Sequence, residues 1–93
     1  MAYDYTPTLK HWLAQVEEHY GSLENFSDAG TIRIQLANAE KTIAENDEFL
    51  AAVSDIDINT QSWEDDLVFL RDLKERLTKW LHDRSLSTSR FGY

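Results

Sequence analysis

The sequence predicts an all-α fold: a small three-helix antiparallel bundle with a long helical hairpin and extended N- and C-terminal arms. Apolar residues recur at alternating intervals of three and four through three separate stretches, which lines them up on one face of a helix. Each stretch is flanked by residues that start or stop helices. One proline and three glycines are all that interrupt the 93 residues, so regular helix can run far between breaks. A chain of this length fits one domain with a single modest core.

The first helix is expected over residues 7–20. Residues 1–6, MAYDYT, read as an extended arm carrying Tyr3 and Tyr5. Thr6 before Pro7 is a start signal: the hydroxyl can cap, and proline loses nothing at a position whose N–H has no intrahelical partner. Leu9, Trp12, Leu13, Val16 and Tyr20 form the apolar stripe. Gly21 then supplies the left-handed conformation that closes many helices.

After the linker SLENF, Ser27 or Asp28 caps a second helix expected over 28–53. Its stripe is Ala29, Ile32, Leu36, Ala39, Ile43, Leu50 and Val53, with Asn46 standing at a seam position between Ile43 and Leu50. A break at AEND, restarting on Asn46 or Asp47, competes with one continuous helix in which a polar neighbour satisfies Asn46. The unbroken phase on both sides favours the continuous helix.

The third helix is expected over 62–82. Ser62-Trp63-Glu64-Asp65 has the pattern of a capping box, and three acids fall in its first turn, where the helix dipole favours negative charge. Trp63, Leu67, Leu70, Leu73, Leu77, Trp80 and Leu81 form its buried face. Asp72–Arg76 and Glu75–Lys79 are spaced as intrahelical ion pairs. Residues 83–93 make a tail without helical period.

Between the second and third helices lies SDIDINTQSWEDD. Asp55, Asp57, Asn59 and Asp66 match the first, third, fifth and twelfth positions of a calcium-binding EF-hand loop. Thr60 stands where that loop turns on glycine, Ser62 stands where it carries an apolar residue, and Asp66 is shorter than the usual glutamate. The stretch therefore reads as a polar reversal, with Ile56 and Ile58 pointing inward from a short extended link and the acids pointing to water.

Charge limits the functions further. The formal net charge of −8 is uneven: residues 1–66 hold 14 acids and 3 bases, residues 67–93 hold 3 acids and 6 bases. An acidic body repels phosphate backbones, so direct nucleic-acid binding by it is not expected; basic protein partners and head-to-tail contact between copies are. No apolar run is long enough for a membrane span, and a cytosolic setting, or a virion assembled in one, is the expectation. The absence of cysteine removes disulfides and thiol chemistry. His11, His19 and His82 show no metal-ligand spacing, and no catalytic constellation or cofactor motif is visible. The chain is not expected to be an enzyme.

The candidate partner-binding residues are of two kinds. Ile34, Phe49 and Val68 point away from the main apolar faces of their helices. Tyr3 and Tyr5 at one end, and Arg84, Arg90, Phe91 and Tyr93 at the other, are aromatic or basic groups suited to docking, and SLSTS is suited to strand addition.

In residues 28–93, ANAEKTIAENDEFL, DIDIN and SWEDDLVFLRDLKERL would supply helix, link and helix, and RSLSTSRFGY a basic, aromatic-ended tail. This layout resembles the small W-type head–tail joining proteins of tailed phages. The resemblance implies a helical hairpin around a short β segment and a tail that inserts into a connector assembly. The chain departs from that family by its acidic body, its added N-terminal helix and the lack of a clear second strand. The leading expectation is a non-enzymatic, oligomeric assembly protein that docks on sister subunits through its tails and acidic faces. The alternatives are an acidic nucleic-acid mimic that occupies a basic groove and an EF-hand-like calcium binder.

Overall fold

The computed structural model describes residues 4–84, so Tyr3, Arg90, Phe91 and Tyr93 lie outside the described residues. Three helices follow one another: α1 over Thr6–Tyr20, α2 over Ala29–Ala52 and α3 over Gln61–Asp83, with one 3-10 turn at Leu23–Asn25. No strand occurs among the described residues, so the β segment implied by the phage resemblance has no counterpart there.

Helix α1 begins one residue earlier than the proline suggests, and Thr6 is not its cap. Tyr5 holds the cap position without a side-chain capping bond, while the Thr6 N–H donates to Asp4 Oδ1 at 2.9 Å. The Thr6 hydroxyl is buried instead and finds no partner among the described residues. At the other end Gly21 takes a φ of 84°, and its N–H donates to Glu17 O at 2.9 Å.

Asp28 caps α2. Its carboxylate accepts from the Gly30 and Thr31 N–H groups and from the Thr31 hydroxyl at 2.7 Å. These bonds, the Thr31 hydroxyl foremost, hold the Asp28 carboxyl below its ordinary value. The helix runs unbroken past Asn46, which is buried, seven positions on from the buried Ala39 and fourteen from Ile32. The expected polar neighbour is missing: Asn46 Nδ2 has no hydrogen-bond partner among the described residues.

The capping box at Ser62 does not form. Asn59 Oδ1 accepts the Gln61 N–H at 3.0 Å, and the Thr60 hydroxyl donates to Glu64 Oε2 at 2.6 Å. That turn over Asn59 starts the helix at Gln61, which leaves Ser62 exposed within the first turn. The two expected intrahelical pairs are also replaced. Arg76 reaches across to Glu17 of α1 at 3.9 Å, and Lys79 pairs with Asp83 at 2.8 Å, one turn further on. The Lys79–Asp83 contact raises the lysine's pKa and lowers the aspartate's, each chiefly through their shared hydrogen bond. Such exposed pairs add little stability.

Helices α2 and α3 form the hairpin, packed antiparallel: Phe49 meets Trp63, Asp47 meets Arg71 and Glu40 meets Lys74. Helix α1 lies against both. Its Tyr5 N–H donates to the Thr42 hydroxyl at 3.3 Å, and Lys10 and Glu17 pair with Asp66 and Arg76, ascending together along α3. Leu9, Val16, Leu23, Ile32, Leu70, Leu73 and Leu77 are buried at the centre, with Trp80 and Leu81 at the end of α3. There the Trp80 indole donates to Phe26 O at 3.1 Å, and Phe26 sets its ring edge-on to Trp12 and Tyr20. Of the face expected for α3, Leu67, Leu70, Leu73, Leu77, Trp80 and Leu81 are buried, whereas Trp63 is only half-buried.

Candidate functional site

Turn bonds, not an extended strand, join α2 to α3. The Ile56 N–H donates to Val53 O at 2.9 Å and the Ile58 N–H to Ile56 O at 3.0 Å. Folded this way, the link carries both isoleucines outward, correcting the expectation that they face the core: Ile56 is 56% exposed and Ile58 43%. Phe49 and Trp63 stack across the end of the hairpin with ring centroids 4.7 Å apart.

Outside this stack lies an open groove of about 400 Å³, lined by Leu50, Val53, Ile56, Ile58, Thr60 and Glu64, with Ser54 at its edge. Between Thr42 and Leu70 the chain holds eight carboxylates and no lysine or arginine. The groove mixes four apolar side chains with Ser54, Thr60 and Glu64 and presents more polar than apolar surface. Asp55 and Asp57 are exposed beside its isoleucines in sequence. The two exposed isoleucines offer burial to apolar groups, and the surrounding segment, whose charged side chains are all acidic, offers negative charge to a cation.

The candidate residues named from sequence are distributed as follows. Ile34 and Val68 are exposed at 62% and 71%, on different helices and outside the groove. Phe49 is only half-exposed because its ring packs on Trp63. Tyr5 is not on a free arm: it is half-buried and packs against the core. Arg84 is engaged within the fold. Its guanidinium lies 3.9 Å from the Trp80 ring centroid and donates to Glu24 O at 2.6 Å and Trp80 O at 3.2 Å. Arg90, Phe91, Tyr93 and Tyr3 fall outside the described residues.

Two of the four calcium-loop candidates have other partners, while Asp55 and Asp57 are exposed. Asn59 Oδ1 accepts from Gln61, and Asp66 pairs with Lys10 at 3.4 Å. Among the described residues no three His, Cys, Asp or Glu side chains are gathered as a metal site. Four carboxylates of the acidic body that a nucleic-acid mimic would present are also paired within the chain. Glu40 and Asp47 face Lys74 and Arg71, while Glu64 and Asp65 accept from Thr60 and Gln61.

A second concave surface runs along α3 over Arg71, Lys74, Glu75, Thr78, Lys79 and His82. Its three long cations are each paired with a carboxylate, so it presents aliphatic stems more than free charge. No described helix is long and apolar enough to cross a membrane.

The groove was missed in the sequence because Ile56 and Ile58 alternate with acids, a pattern that equally fits a half-buried strand. The available signal was the pair Phe49 and Trp63, which can close the hairpin end and displace anything beyond it. Comparison with protein-family models, curated protein sequences and solved structures gives no match.

Proposed function

We propose that this chain is a non-enzymatic assembly protein that docks on neighbouring protein subunits through the tip of its α2–α3 hairpin. The observation that supports this most is the pair of isoleucines held out at the tip in a groove of mixed lining, within a segment that carries eight acids and no base. Exposed apolar surface is unfavourable in water, and covering it on a partner recovers about 25 cal/mol per Å² of apolar area. The acidic rim selects a basic partner and opposes tip-to-tip contact between copies. The layout resemblance to head–tail joining proteins is compatible with such a role, and a phage connector is the setting it suggests.

Sedimentation of the full chain over a range of concentrations tests the reading. Association that rises with concentration, weakens with added salt and is lost in Ile56→Ser/Ile58→Ser is the expected result. A folded full chain that sediments as a monomer throughout would overturn it as a self-assembling protein.

A further inference from the structure

We propose that the tip groove receives the C-terminal segment of a second copy of this chain, Phe91 entering between Leu50, Val53, Ile56 and Ile58 while Arg90 faces Asp55 and Asp57. This rests on the docking reading above and names its occupant. Two observations select that occupant.

The first is charge and chemistry. The groove carries two exposed isoleucines and Glu64 in its lining, and its own segment holds eight acids and no lysine or arginine. Residues 85–93, SLSTSRFGY, hold one arginine, no acid, and an aromatic directly after the arginine. An aromatic beside a cation is the complement of exposed isoleucines beside carboxylates.

The second is reach. Arg84 is fixed to Trp80 and Glu24, so the segment departs from the end of the molecule opposite to the tip. Glu64, the groove's lining residue on α3, lies twenty positions from Arg84, about 30 Å of helix axis, and Ile56 and Ile58 lie beyond the start of the helix. Seven positions separate Arg84 from Phe91, at most about 25 Å of fully extended chain. Phe91 therefore falls short of the groove in its own molecule, and the occupancy is intermolecular. Because donor and acceptor lie at opposite ends, the contact is head-to-tail and propagates to a ring or a filament instead of stopping at a two-fold dimer.

Two full-length variants test this: a tip variant, Ile56→Ser/Ile58→Ser, and a tail variant, Arg90→Glu/Phe91→Ser. The tip positions are exposed, and circular dichroism checks that both keep the helical fold. Each alone is expected to remain monomeric by native mass spectrometry while the unaltered chain assembles. Mixed in equal amounts, they are expected to form a one-to-one heterodimer and nothing larger, since only one intact tail and one intact tip remain. Asp55→Lys/Asp57→Lys provides a second tip variant with the groove's lining residues unchanged, and it should weaken assembly at least tenfold. A tail variant that assembles like the unaltered chain would overturn the tail as occupant while leaving tip docking intact. The same holds if both variants are monomeric yet fail to pair with each other. A monomeric unaltered chain would remove both readings together.

Discussion

Phe49 and Trp63 stack at 4.7 Å between centroids with their ring planes 29° apart, and the hairpin's side-chain packing ends on them. Between the two rings in sequence no residue is buried: Leu50, Val53 and Thr60 are half-buried, and Ile56 and Ile58 are exposed. The contact thus decides both where the core stops and what the tip presents. A double-mutant cycle with Phe49→Leu and Trp63→Leu should give a coupling of about 0.5–1.5 kcal/mol, the range for paired aromatics beyond simple burial. Urea unfolding of the four proteins measures it, and a coupling near zero would separate the stack from the hairpin's stability.

Asn46 carries a buried amide nitrogen with no partner, on the heptad line of Ile32 and Ala39. Asn46→Leu should raise the unfolding free energy by about 1–3 kcal/mol, because it removes an unsatisfied donor and extends the apolar seam. A thermal melt reads this directly. A lower Tm would mean that the side chain is satisfied in solution.

Thr42 ties α1 to α2. Its hydroxyl donates to Asn38 O at 2.9 Å and accepts the Tyr5 N–H at 3.3 Å. Thr42→Val keeps the shape and strands that N–H, so it should cost about 1–2 kcal/mol. Amide hydrogen exchange should quicken first at the start of α1, with the α2–α3 pairing less affected.

Arg84 and Arg90 should behave differently despite their shared charge. Arg84 stacks on Trp80 and bonds Glu24 O, so Arg84→Gln should lower Tm, with a cost of about 1–2 kcal/mol, and leave association unchanged. Arg90→Gln should weaken association with Tm unchanged. Melts and sedimentation on the same samples distinguish the two.

Asp28 should titrate below its ordinary 3.8, since the Thr31 hydroxyl and N–H bind the ionised form. A depressed folded pKa means that the cap's contribution is fully present above 3.8 and is lost as pH falls through the lower, folded value. Thr31→Val removes the strongest of these donors. Carboxyl NMR should then show Asp28 titrating closer to 3.8, with fraying at the start of α2 setting in at higher pH.

The sequence by itself determined the helices, because their signals are local. Spacings of three and four mark the faces that α1, α2 and α3 bury; Gly21 marks a turn that needs positive φ; Asp28 marks a cap. These depend only on neighbours a few positions apart, and each helix end falls within one residue of the expected one; α3 starts one residue early where Asn59 turns the chain onto Gln61. Tertiary structure alone decided the rest. Whether Ile56 and Ile58 face in or out depends on Phe49 and Trp63 meeting across the hairpin. Arg84 leaves the pool of free cations only because Trp80 and Glu24 converge on it. Side-chain period states which residues share a face, but only packing between distant segments determines which of those faces remains uncovered.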